Sequence, residues 1–195
     1  NSNKITLINI FVGSLEYSNR LNDKINIDAG IKASRYRFMN DVAVNKFMFN
    51  QWVPDINLTT NYHLREDIPA AYSSVNIILD KKNSVKLGLR YEFTNTNLGM
   101  PMHMDIVDKH YGELFPSFFA THKFDDDNSL NVSYTRRITR PTFNDLAPFV
   151  LFLDPNTFIS GNSALQPSIS NSVSASWSVQ QFLFSASYND EKNYI

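Results

Sequence analysis

The stretch Gln166–Asn189, QPSISNSVSASWSVQQFLFSASYN, states the period of the chain. From Ser168 to Ser178 every even position is serine, while the odd positions run Ile169, Asn171, Val173, Ala175, Trp177 and Val179. That alternation has period two and predicts a β-strand with one small polar face and one mostly apolar face. Gln180 and Gln181 make a tight connection. Phe182, Phe184, Ala186 and Tyr188 then resume the apolar face opposite Leu183, Ser185, Ser187 and Asn189, so the stretch reads as a hairpin. A soluble sheet hides its apolar face in a core, whereas a membrane barrel turns that face to lipid and its polar face to a lumen. Here the polar face is Ser and Asn without a charge, which tilts the reading towards a barrel.

Composition narrows the field. The chain has 195 residues, no Cys, a net charge of -1, 19% charged residues and 13% aromatics. No basic excess calls for nucleic acid, and the lack of Cys removes disulfides and thiolate metal sites. Asn1–Lys4 has no charged-then-apolar leader pattern, so a secretory signal is expected either to have been removed or never to have been part of this stretch. No run of about 18 apolar residues offers a spanning helix, but a barrel strand needs only about 9 to 11 alternating residues.

Taken in order, Asn3–Tyr17 reads as a strand with apolar groups on both faces and no evident orientation. Ile25, Ile27, Ala29, Ile31 and Ala33 form one face of a second strand, and Arg35–Pro54 reads as a long connection. Asp55–Leu79 reads as one strand whose apolar parity switches, which a bulge near Pro69 would explain. Val85, Leu87, Leu89, Tyr91 and Phe93 mark the fourth strand. Asn95–Glu113 is a second long connection, Leu114–Phe124 and Leu130–Thr135 are strands, and Arg136–Leu165 is a third long connection. The hairpin completes about eight strands, with no helix signal worth naming. The expected fold class is therefore all-β, an antiparallel up-and-down meander of about eight strands that is part of a transmembrane β-barrel.

After the first strand the connections run alternately short and long. All short turns fall at one end of the sheet and all long loops at the other, as in outer-membrane barrels. In the alternating strands Asp28, Lys32, Lys86, Arg90 and Glu92 lie on the polar face and no charge lies on the apolar one. A Lys or Arg facing lipid at mid-depth costs roughly 2 to 4 kcal/mol, enough to keep that face clean. Tyr91, Phe93, Tyr134, Trp177 and Tyr188 sit near strand ends, as interfacial aromatics do.

Lys86–Thr96 (KLGLRYEFTNT), Leu114–Ser117 (LFPS), Ser133–Phe149 (SYTRRITRPTFNDLAPF), Asp154–Pro155 and Gly161–Pro167 (GNSALQP) resemble the barrel of TonB-dependent outer-membrane receptors. The likeness is to the outer-membrane β-barrel branch common in Bacteroidetes and runs from about Lys24 to Tyr188. It implies a receptor of roughly 22 strands with a plugged lumen. It also implies outer-membrane lipid around the wall and a small-molecule nutrient, such as a metal chelate, as cargo. Against that pattern the chain has no plug domain, no segment to engage TonB and no terminal strand ending in an aromatic. The expectation is a single segment, residues 1–195, internal to a barrel in the outer membrane, with TonB reached only through the absent plug.

Candidate sites lie in the long connections. Met100, Met102, His103 and Met104, with His110 nearby, offer thioethers and imidazoles of the kind that suit copper, or else form an apolar loop tip. Arg136, Arg137 and Arg140 could grip an anionic ligand through forked hydrogen bonds, or pair with Asp145 and Asp154 and fix the loop over the rim. Trp52, with Phe47 and Phe49, could stack on a sugar or flat chelate, or pack the loop. No Ser/His/Asp constellation can be chosen by spacing, and the adjacent Glu66 and Asp67 point to opposite faces, so neither an enzyme nor a cofactor is expected. Two rivals stand beside the receptor fragment: a soluble β-sandwich that binds a partner through its loops, and a complete eight-stranded outer-membrane barrel.

Overall fold

Alternation becomes ladder pairing along nearly the whole chain in the computed structural model. It describes residues 2–56, 58–101, 103–148, 150–154 and 157–193, with the side chains of 2, 103–104, 150–154 and 157–159 left out. The strands are β1 (Ser2–Asn22), β2 (Ile25–Met48), β3 (Gln51–Pro54), β4 (Thr60–Ile78), β5 (Asn83–Met100), β6 (His103–Asp125) and β7 (Asn128–Thr139). A helical turn, α1 (Phe143–Leu146), precedes β8 (Val150–Asp154), β9 (Thr157–Ser160), β10 (Ser168–Val179) and β11 (Phe182–Lys192). The main sheet runs β1-β2-β4-β5-β6-β7-β10-β11, every neighbour antiparallel, with β3 folded back on the end of β2. β8 and β9 pair with each other.

This is one layer, not two. Large apolar side chains on one face stand open, among them Ile31, Leu87, Leu89, Val173, Trp177 and Phe184. A sandwich would have covered them, so the soluble alternative falls. β1 and β11 lie at opposite ends of the order and are not paired with one another among the described residues. A closed eight-stranded barrel requires that pairing.

Side-chain bonds identify the two faces. Ser18 and Ser74 both donate to Asp28, Tyr72 donates to Glu16, Thr121 to Asn131, and Ser133 Oγ meets Ser174 Oγ. These polar groups share the lumen face. On β1 the face is set by Thr6, which donates to Asn40 at 2.8 Å, and by Ser18. Ile5, Leu7, Phe11 and Leu15 therefore point outward and Ile8, Ile10 and Val12 inward, which settles the orientation that two apolar faces had left open.

The long connections are corrected. β2 continues to Met48, turns through Phe49 and Asn50, and returns as β3. Twenty-four residues of strand span roughly 80 Å, far more than a bilayer needs. Both central residues of the turn have positive φ, 49° and 60°, as a type I′ hairpin requires. Asn95–Glu113 likewise belongs to β5 and β6, joined at a turn by Pro101. The extensions hold because the backbone is satisfied on both sides: Arg35 to Val42 pair with β1 and with β4 at once. Of the three long connections, the third leaves the main sheet over its described residues from 140 to 167, and it contains α1, which Thr142 and Asp145 close with a capping box.

Nor is there a bulge at Pro69. The β2–β4 register is unbroken from Ile25↔Ile77 to Val42↔Thr60. The parity switch in β4 is a change of surroundings instead. Below Pro69, Ala71, Val75 and Ile77 face outward; above it, Tyr62 and Leu64 face inward and are buried against α1.

The outward face changes at the same level. Gly13, Ala33 and Pro69 form a row across β1, β2 and β4, and the next rows up hold Arg35 with Asp67 and Arg37 with Arg65. On β2, β4 and β5 the unbroken apolar run ends here and charged or amide side chains begin, although β1 keeps Phe11 and Leu7 outward; that change marks the edge of the hydrocarbon. The turns at Asp23–Lys24, Leu79–Lys82, Asp126–Asp127 and Gln180–Gln181 all lie at the opposite end, and short turns are the mark of the periplasmic end in outer-membrane barrels.

Candidate functional site

Above that edge, successive even residues of β5 line the lumen: Arg90, Glu92, Thr94, Thr96, Leu98. Period two places them on one face as a ladder that runs from charged through hydroxyl to apolar. Arg140, one residue beyond β7, reaches back to it. Its Nη2 donates to Glu92 Oε2 at 2.6 Å and to Thr94 Oγ1 at 2.8 Å, and its Nε donates to Thr94 at 3.2 Å. Arg90 holds the other oxygen, Glu92 Oε1, at 2.5 Å. Glu92 is only 6% exposed, so its charge is neutralised by two guanidiniums and not by water. Opposite, Thr96 donates to Glu66 at 2.9 Å. Burial pushes the Glu66 carboxyl above its ordinary pKa, against the Thr96 hydrogen bond and the Arg140 charge.

Arg140 thereby draws Pro141 and α1 into the lumen. Phe143, Leu146 and Ala147 close on Tyr62, Leu64, Leu98 and Val107, with Phe143 stacked on Phe38 at 6.1 Å. Gly161 seals the far side, its N–H donating to Ala147 O while Asn162 N–H donates to Asp145 O at 2.6 Å. A Cβ at Gly161 would sit 2.4 Å from Ala147 O, so that close approach requires glycine. Between the helical turn and the wall remains a cleft of about 450 Å³, lined on its polar side by Lys4, Tyr36, Glu66 and Arg140 and on its apolar side by Ile8 and Phe143.

The residues singled out in the sequence are dispersed. Arg136 bonds Glu113 at 2.7 Å, where β6 and β7 part: their pairing stops at Ser117↔Thr135, and the next β6 residue, Pro116, has no N–H to give. Arg140 pairs with the wall carboxylate Glu92. Arg137 is exposed and has no ion pair among the described residues. Trp52 is exposed and tilts against Phe47 at 5.3 Å near the β2–β3 tip. Met100 packs against the apolar cluster, and His110 Nε2 lies 3.0 Å from Asp108. Met102 lies outside the described residues, as do the side chains of His103, Met104 and Asp154. Among the described residues no group of three His, Cys, Asp or Glu is placed to hold a metal.

Residues 1–195 match the model of the outer membrane protein beta-barrel family over their whole length. The chain belongs to that family. Its place is the outer membrane, and the open apolar face is the face that meets lipid. No curated protein matches it in sequence. Among solved structures, the copper transporter OprC has a TM-score of 0.65 at 14% identity, with 96% of this chain and 30% of that one covered. The ferric yersiniabactin uptake receptor FyuA of Yersinia pestis gives 0.60 at 14%, covering 96% and 29%. The alcaligin outer membrane receptor FauA of Bordetella pertussis gives 0.56 at 15%, covering 97% and 30%. At these identities the likeness is one of fold, and the chain spans about 30% of each receptor's length.

For this family member the lumen residues that sequence reasoning missed are Glu66, Thr96 and Phe143. The signal for the first two was present. They share the inward parity of Glu92, already placed on the polar face, but lie beyond the stretch where an apolar outward partner made the parity visible.

Proposed function

We propose that this chain forms about a third of the wall of a TonB-dependent receptor that takes up a small-molecule nutrient, such as a metal chelate, across the outer membrane. The observation that carries this is the inward fold of 140–147. It is bound to the wall through Arg140 and leaves a mixed polar and apolar cleft in the lumen, on the side from which a nutrient arrives. The plug, the TonB-engaging segment and the remaining strands belong to the rest of the receptor. With Arg136 and Arg140 engaged by Glu113 and Glu92, Arg137 and Trp52 are the groups free to meet an incoming ligand.

The test compares cells with and without the intact receptor for accumulation of labelled ferric chelates and of copper, before and after collapse of the proton-motive force. Energy-dependent accumulation that requires the receptor supports the reading, and Arg137→Ala and Trp52→Ala should then raise the concentration for half-maximal uptake. Accumulation that is receptor-dependent yet indifferent to the proton-motive force would point to a passive pore instead.

A further inference from the structure

The outward face of β1, β2 and β4 carries a groove that transport through the lumen does not use. Its floor is the row of small residues Gly13, Ala33 and Pro69, continued downward by Ala71. A Cβ added at Gly13 would meet nothing within 4 Å, so the furrow is open. Leu15 and Ile31 border it on one side and Tyr91 and Phe93 on the other, enclosing about 580 Å³ of almost wholly apolar space. Gly13, Ala33 and Pro69 also line a second groove of about 800 Å³ that continues upward past Phe11 to Arg35, Arg37 and Asp67. The two are one track leading from the hydrocarbon to a cluster of charge.

That cluster is unbalanced. Arg35 Nε lies 2.5 Å from Asp67 Oδ1 and Arg65 Nε 2.8 Å from Oδ2, so one carboxylate serves two guanidiniums through their inner nitrogens. Burial works against the charged Asp67, but the bonds and charges of Arg35 and Arg65 outweigh it and hold its pKa below the ordinary value. Arg37, directly across the pair from Arg65, is exposed and has no ion pair among the described residues. Asn9, Asn95 and Asn97 continue the two rows, and on β6 they end at His110 and Asp108, which lie 3.0 Å apart and engage each other.

We propose that this groove holds a phosphate-bearing lipid of the outer leaflet, an acyl chain lying over Gly13, Ala33 and Pro69 and its phosphate gripped by Arg37 with the outer nitrogens of Arg35 and Arg65. Charge complementarity selects the occupant. The apolar furrow alone would accept any chain, but three guanidiniums at its upper end, at the membrane edge, match an anionic headgroup in forked geometry. A second copy of this chain would have to bury the same arginines against its own. The inference rests on the outer-membrane location and not on what is transported.

The intact receptor in a nonionic detergent is examined by native mass spectrometry with dioleoyl phosphatidic acid, with dioleoyl phosphatidylcholine, and with inorganic phosphate as competitor. The wild type should retain phosphatidic acid preferentially, with inorganic phosphate a poor competitor. Arg37→Gln and Arg65→Gln should each weaken that retention about fivefold, the size of one cationic side chain at an anionic surface, and leave phosphatidylcholine unchanged. Ala33→Phe, which fills the furrow, should weaken both lipids alike. A heat-modifiable gel band confirms that each variant is folded. Equal retention of the two lipids, Arg37→Gln binding like the wild type, free phosphate displacing the lipid at equal concentration, or a dimer that occludes the groove would each overturn the proposal.

Discussion

Glu92→Gln in the intact receptor tests whether one carboxylate holds the inward segment to the wall. Glu92 accepts from Arg140 at 2.6 Å and from Arg90 at 2.5 Å, and the side chain of Arg140 is only 17% exposed. Removing one partner of a buried pair costs about 3 to 5 kcal/mol, because the other charge is left without compensation. Three features reduce that here. Gln keeps an acceptor oxygen, Thr94 still accepts two bonds from Arg140, and Glu66 remains as a nearby charge. A net loss of about 2 kcal/mol is expected, and it falls on docking of the segment and not on the barrel, whose ladders do not involve this pair. Hydrogen exchange reads it directly. The amides of Leu146 and Ala147, which bond Thr142 and Phe143 carbonyls, should exchange about 30-fold faster, while β4 and β5 amides keep their protection. Combined with Arg140→Gln, the loss should be less than additive. Unchanged exchange at 146–147, or a uniform rise across the strands, would refute the latch.

Three further outcomes follow from the same geometry. Gly161→Ala brings a Cβ to 2.4 Å from Ala147 O and 2.7 Å from Asn144 O, backbone atoms that cannot swing aside, so the same amides should open by about 2 kcal/mol. Leu87→Lys places a charge among the lipid-facing residues and should cost roughly 2 to 4 kcal/mol in folding into lipid vesicles, measured by denaturant titration. Glu66 has a raised pKa in the folded state, so the fold binds its proton more tightly than the unfolded chain does. Its contribution is fully present below the unfolded value and is lost as pH rises through the folded one; Glu66→Gln should flatten that decline in protection of the 140–147 segment.

What the sequence made legible depended on how many environments a strand meets. β10 has serine on one face and mostly apolar groups on the other along its length, and its pairing with β11 from Ile169↔Lys192 to Val179↔Phe182 is as alternation predicts. β2 was legible only to Ala33. Beyond it the outward face turns to Arg35, Arg37 and Asp41, so the apolar mark that period-two reading needs disappears although the ladder continues. Asn95–Glu113 failed for the same reason. The opposition of Glu66 and Asp67, by contrast, needed only their adjacency: one meets Thr96 in the lumen and the other Arg35 and Arg65 outside. The partners of Arg136 and Arg140 could not be read, because Glu113 and Glu92 lie 23 and 48 residues away and come near only through strand register.

The parity switch in β4 shows how far such a reading can be pushed. A strand that turns its apolar side from outward at Val75 to inward at Leu64 without a bulge must meet two different apolar neighbours. Below the edge that neighbour is lipid. Above it the wall faces a wet lumen, where Tyr62, Leu64, Leu98 and Phe38 would be an unfavourable patch unless some other part of the chain covered them. The cover must itself be apolar, must leave the sheet, and must begin close to the charged end of the ladder. Arg140 followed by Pro141, Thr142, Phe143 and Leu146 meets all three conditions: Pro141 ends the strand, Thr142 starts the helical turn, and Phe143 and Leu146 supply the surface. An apolar lumen face above the membrane is therefore itself evidence of an inward-folded segment, and the wall specifies its cover as much as the cover closes the wall.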